Sequence, residues 1–183
     1  VVGWGGAGVH TPGRGAGRRE TSCALPAGGR VVGGFAGDET ARDQRDPEAH
    51  RTVRTGDLDG DDDPARPAST AENALRVVTA FSTGAGTLLE GVTVTAGRAD
   101  VSSLDDGGGL SAGSATLELR DVRFTRNHAD DRGGAITIRN SDVHARHLTI
   151  TDNTAGVVGG AIRVWDGSDV TLVDAVITGN SSQ

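Results

Sequence analysis

Phrases in the second half of the chain return every 26 or 27 residues, and that spacing limits the fold more than any other feature. Asn127, Asn153 and Asn180 each close a similar phrase: Phe124-Thr-Arg-Asn127, Ile150-Thr-Asp-Asn153, Ile177-Thr-Gly-Asn180. A second phrase, Gly107-Gly-Gly-Leu110, returns as Gly133-Gly-Ala-Ile136 and Gly159-Gly-Ala-Ile162. Between them, Leu117/Leu119 align with Val143/Ala145 and Val170/Leu172, and Val122/Phe124 align with Leu148/Ile150 and Ala175/Ile177. Each repeat thus holds short stretches of alternating apolar residues, separated by Gly, Asn, Asp and Ser. Alternation marks half-buried strands, and the separators mark turns. A helical period does not fit.

The architecture that suits this pattern is all-β: a parallel β-helix of about 26 residues and three strands per coil, stacked on like coils. Stacking sets equivalent positions about 4.8 Å apart. Phe124, Ile150 and Ile177 then form an inner column. Asn127, Asn153 and Asn180 form an amide ladder at one turn. Upstream, Val92 and Val94 resemble the Val122/Phe124 position, with Gly97 in place of the ladder Asn. Gly97 to Gly107 is four residues longer than Asn127 to Gly133, so an insertion bulges within residues 98–106. Leu75, Val77 and Val78 offer another strand.

Two domains of behaviour are expected. Residues 1–30, rich in Gly and Arg, read as a poorly ordered low-complexity segment. Residues 31–183 read as the β-helix, with a polar excursion over 36–72. Glycine is 29 of the 183 residues, about twice the usual share. The net charge of −7 argues against nucleic acid as a partner. The single Cys23 excludes an internal disulfide and a cysteine-built zinc site. No apolar run is long enough for a transmembrane helix. The chain has no Met, and no cap follows Asn180, so it is expected to be a fragment or a processed product.

The pair Gly-Gly-Ala-Ile (133–136, 159–162) and Phe-x-x-Asn (124–127, with Ile at 150 and 177) resembles the repeats of polymorphic outer membrane proteins. Upstream, Gly33-Gly-Phe-Ala-Gly-Asp-Glu-Thr40, Gln44-Arg-Asp46, Gly56-Asp-Leu-Asp-Gly-Asp61, Asn73 to Thr79 and Leu89-Glu-Gly-Val-Thr-Val94 are similar to bacterial right-handed parallel β-helix proteins of the pectin-lyase-like class. The resemblance covers about residues 31–183. It implies a right-handed coil and an extracellular or cell-surface, outer-membrane-associated location. It also implies one of two functions. The favoured one is a non-enzymatic scaffold or adhesin that binds a glycan or a surface protein through its turn insertions. The alternative is a fragment of a polysaccharide lyase or glycoside hydrolase.

Three clusters invite chemistry. Asp57, Asp59, Asp61, Asp62 and Asp63 place five carboxylates in seven residues, a composition that suits Ca²⁺. The calcium-loop pattern fails, because its glycine and glutamate positions hold Asp62 and Ala68; the competing reading is a solvated acidic turn. Asp105 and Asp106 stand beside the inserted turn as paired carboxylates for acid/base work on a glycoside, or as a plain turn cluster. The polygalacturonase phrases that resemblance would require are absent. Asp121, His147 and Asp174 share a column, so a stacked His147 lies between two carboxylates. No nucleophile accompanies them, which favours a structural turn contact. No catalytic residue is assigned from the sequence.

Overall fold

The computed structural model describes residues 2–12, 18–63 and 65–183. Its strands follow the chain in six circuits. The first holds β1 (Val2–Gly6), β2 (Gly8–His10) and β3 (Cys23–Ala24). The second holds β4 (Arg30–Phe35), β5 (Thr52–Thr55) and β6 (Val78–Phe81). The third holds β7 (Leu88–Glu90), β8 (Val92–Thr95), β9 (Arg98–Ala99) and β10 (Leu110–Gly113). The fourth holds β11 (Thr116–Arg120), β12 (Arg123–Thr125), β13 (His128–Ala129) and β14 (Ile136–Arg139). The fifth holds β15 (Asp142–Arg146), β16 (Thr149–Thr151), β17 (Thr154–Ala155) and β18 (Ile162–Trp165). The sixth holds β19 (Asp169–Val173), β20 (Val176–Thr178) and β21 (Ser181–Ser182).

Each circuit adds one strand to each sheet it visits. The sheets run β1-β4-β7-β11-β15-β19, β2-β5-β8-β12-β16-β20, β9-β13-β17-β21 and β3-β6-β10-β14-β18. Their neighbours pair in parallel, as in Thr116↔Asp142, Phe124↔Ile150 and Leu110↔Ile136. The protein is therefore all-β with parallel sheets. From β10 onward the registers coincide with the 26- and 27-residue columns of the repeat.

Three details differ from the sequence expectation. A full circuit has four strands rather than three, because a two-residue strand follows each ladder position. Two residues are too few to show an alternating period. Residues 2–10 and 23–24, read as part of a poorly ordered segment, form β1, β2 and β3 and pair with the second circuit. Gly-rich β1 carries no alternation, so its strand character comes from its neighbour. The excursion 36–72 is divided by β5, which leaves two loops, 36–51 and 56–77. Each contains a short 3-10 helix, Arg42–Gln44 and Pro67–Thr70.

The repeated glycines have separate tasks. Gly107, Gly133 and Gly159 adopt positive φ, where a Cβ is costly. A Cβ on Gly134 would fall 2.2 Å from the Thr154 carbonyl oxygen, and one on Gly160 2.1 Å from that of Ser181. The second glycine of each phrase thus lets the short β9-β13-β17-β21 sheet close against its neighbour.

Phe124, Ile150, Leu119, Leu110, Ile136 and Leu148 fill the core between the sheets. The ladder lies at its edge. Asn127 N–H and Nδ2 both donate to Asn153 Oδ1 at 2.9 Å. Asn153 N–H and Nδ2 donate to Asn180 Oδ1 at 3.0 and 2.8 Å. Gly97 N–H donates to Asn127 Oδ1 at 3.0 Å and ends the ladder upstream. Each amide also donates to a carbonyl of the previous circuit: Val94, Phe124 and Ile150. No helix among the described residues is long and apolar enough to cross a membrane.

Candidate functional site

The loops that interrupt the regular circuits gather at two corners. Loop 36–51 lies over the outer face of the first sheet. There Glu90, only 5% exposed, receives the guanidinium groups of both Arg42 and Arg45. Glu48 at the loop's end pairs with Arg123 at 2.8 Å.

Loops 56–77 and 98–106 share the corner beside the ladder, and Arg19 and Arg98 tie them together. Arg19 Nε donates to the Asn73 carbonyl at 2.8 Å, and its Nη2 reaches Asp100 Oδ1 at 2.6 Å. Arg98 donates to Thr70 Oγ1 at 2.7 Å and pairs with Asp100 at 2.9 Å. Burial pushes the Asp100 carboxyl up, but hydrogen bonds from Arg98 and Arg19 outweigh it and hold it below its ordinary value. Between loop 56–77 and the ladder edge opens a cavity of about 540 Å³, lined by Asp57, Asp62, Asn73, Arg98, Arg126 and His128 among others. His128 is anchored by Thr154 Oγ1 at 2.7 Å and Asp130 at 2.8 Å.

The acidic run 57–63 is rearranged by its own turn. Asp57 accepts the backbone N–H groups of Gly60 and Asp61 at 2.6 and 3.2 Å, so the chain curls around it. Asp63 turns away to Arg66 at 2.9 Å, and Asp59 is exposed with its carboxylate beside that of Asp61. The carboxylates that converge are those of Asp57, Asp61, Asp62 and Glu72. Partial desolvation, with the neighbouring carboxylates, raises the Asp61, Asp62 and Glu72 carboxyls above their ordinary values.

Asp105 and Asp106 gain a third carboxylate, Asp131. It lies one repeat later, and the bridge between Asp106 and Arg132 sets the two turns side by side. Burial first, then Asp131 and Asp105, raises the Asp106 carboxyl. Arg76 donates to the Asp106 carbonyl at 3.1 Å, and burial lowers its guanidinium pKa against the pull of Asp106 and Asp105.

His147 stands in its expected column, with Nδ1 3.1 Å from Asp121 and Nε2 3.6 Å from Asp174. All three side chains are exposed. All three backbones have φ of 52° or 53°, a left-handed corner at which Asp and His are enriched. The column is a corner of the backbone.

Sequence reading missed Glu72, Asn73, Arg98, Arg126, His128 and Asp131. The spacing of 26 between Asp105 and Asp131 is a signal that pointed to one of them. The others meet through loops that carry no period. Compared with known proteins, the chain matches no family model, no curated protein and no solved structure.

Proposed function

We propose that this chain is a stretch of right-handed parallel β-helix of the pectin-lyase-like class, displayed outside the cell, that binds an extracellular glycan in the corner between loop 56–77 and the ladder edge. One observation carries the binding reading: loop 56–77 faces the ladder edge of the following circuits across one cavity of mixed charge. Arg98 and Arg126 offer donors there, and Asp57 and Asp62 offer acceptors. Sugar hydroxyls use both, and uronate carboxylates use the donors. The fold reading draws on the fixed order in which the circuits visit four parallel sheets, and on the right-handedness of about 98% of parallel crossovers. The location and the scaffold role draw on the likeness to surface-displayed β-helix repeats.

A polysaccharide-cleaving reading has one observation of its own: Asp105, Asp106 and Asp131 beside a partly desolvated Arg76. None of these residues lines the cavity described above. A single experiment separates the two. The folded protein is incubated with a panel of neutral and uronate-containing polysaccharides, and both retention and new reducing ends are measured. Retention without cleavage, weakened about tenfold by Arg126→Ala through loss of one charge-assisted bond of about 1.5 kcal/mol, supports the binding reading. Alanine is tolerated at that corner, because Ala96 occupies the equivalent left-handed position one circuit earlier. New reducing ends overturn the scaffold reading and make Asp105, Asp106, Asp131 and Arg76 the first positions to change.

A further inference from the structure

The acidic loop has an unmet demand that carboxylates alone do not create. Asn73 is 2% exposed. Its Nδ2 donates to Asp62 Oδ2 at 3.0 Å, which sets the amide against the acidic group. Its Oδ1 has no hydrogen-bond partner. The Oε1 of Glu72, next to it in the chain, is likewise enclosed with no donor. A buried acceptor left unpaired costs about 1–3 kcal/mol. Two enclosed acceptors without donors thus belong to one residue of the acidic group, Glu72, and to the amide bonded to another, Asp62.

From this geometry we infer that Asp57, Asp61, Asp62 and Glu72, with the Asn73 side-chain oxygen, form a Ca²⁺ site. One carboxylate oxygen from each of the four acids lies within 4.8 Å of the others. Oxygens on opposite sides of a Ca²⁺ ion, at 2.3–2.6 Å each, are about 4.6–5.2 Å apart. Mg²⁺ dehydrates reluctantly and is held through one or two carboxylates, whereas Ca²⁺ takes six to eight oxygens, so four carboxylates on one loop suit Ca²⁺. Asp61 and Asp62 are exposed, so water completes the coordination from outside. Asp57 contributes twice: its carboxylate curls the loop through Gly60 and Asp61, and it faces the ion. Arg66 and Arg126 stand near enough to Asp61 and Asp62 to moderate the charge, and four carboxylates exceed them. The sequence pattern of an EF-hand is not needed, because Glu72 and Asn73 enter from the far end of the loop.

The test is Ca²⁺ titration of the metal-free full chain by calorimetry, with hydrogen exchange of the 56–77 peptides in parallel. The expected result is one equivalent bound, with affinity in the range of extracellular calcium modules, about 10⁻⁴–10⁻³ M. Exchange should slow over 57–62 and 72–73 and be unchanged at β14. Mg²⁺ should bind at least tenfold more weakly. Glu72→Gln should weaken Ca²⁺ at least tenfold while leaving the backbone hydrogen bonds to Asp57 intact, so a misfolded loop is not mistaken for a lost ligand. Asp105→Asn should change nothing. The inference is overturned by the absence of saturable binding at millimolar Ca²⁺. It is equally overturned by binding that survives Glu72→Gln and Asp62→Asn unchanged, or that Asp105→Asn removes.

Discussion

His147 occupies a position whose backbone, at φ 53°, favours Gly, Asn, Asp and His. Gly91, Asp121 and Asp174 fill the same corner in other circuits, all at positive φ. That need explains the column without any catalytic role for the imidazole. His147→Asn should therefore change stability by less than about 0.5 kcal/mol, as an accommodated surface substitution does. His147→Val should cost about 1–2 kcal/mol, the penalty of a left-handed residue with a Cβ. Urea unfolding of both variants measures the difference; equal costs would place the weight on the Asp121 and Asp174 contacts instead. The ladder residues behave differently, because their demand is for hydrogen bonds. Asn153 Oδ1 receives two donors from Asn127, and its Nδ2 reaches Phe124, Thr151 and Asn180. Asn153→Ala strands these groups in the interior and should cost about 3 kcal/mol. Asn180→Ala, at the last circuit, leaves its partners near solvent and should cost about 1 kcal/mol.

At the scale of elements, charge decides how the two loops of the second circuit are held. Glu90 is enclosed by Arg42 and Arg45 from loop 36–51. Removing one partner of a buried ion pair leaves the other charges uncompensated, at about 3–5 kcal/mol. Arg42 is more exposed than Arg45, so the lower end of that range applies. Glu90→Gln should free residues 36–51 to fast exchange and proteolysis while β7 keeps its pairing with β11. A resistant loop would show that Glu48 and Arg123 suffice to hold it. Loop 56–77 has the opposite electrostatics. Its Asp61, Asp62 and Glu72 carboxyls are raised in the folded state. The folded loop then binds more protons than the unfolded chain between the ordinary and the raised values. Its stability falls as pH rises through that window and is highest below it. Asp100 works the other way: its lowered carboxyl contributes stability above its unfolded pKa that is lost as pH falls through its folded one. Without calcium, Asp62→Asn should raise the melting temperature at pH 7 and flatten the fall of loop stability with rising pH. An unchanged pH profile would remove Asp62 from this account.

At the scale of the whole molecule, what the sequence disclosed follows from what repeats. Circuits three to six were legible because Phe124, Ile150 and Ile177, and the ladder asparagines, recur at the stacking distance. The first two circuits were not. Arg30 pairs with Leu88 across 58 residues, and β5 is four residues, Thr52–Thr55, inside a polar stretch. The acidic site was half legible. Asp57, Asp61 and Asp62 stand in the run 57–63, whereas Glu72 and Asn73 come from a loop closure that no period encodes. Stacking also sets how the molecule comes apart. Stability in a repeat array is close to a sum of circuit and interface contributions, so the interior circuits are held from both sides and the last from one. Phe124 is fully buried between β8 and β16, whereas Ile177 and Leu172 on the last circuit are 44% and 39% exposed. Phe124→Ala should cost about 3–5 kcal/mol. Ile177→Ala should cost less than about 1 kcal/mol, since half-exposed methylenes have little transfer energy to lose. Amide exchange should be slowest in β8, β12 and β16 and fastest in β20 and β21, with intermediate protection between. Uniform protection to β21 would mean that something covers the apolar face of the last circuit in solution, and the equal cost of the two alanine variants would then say the same.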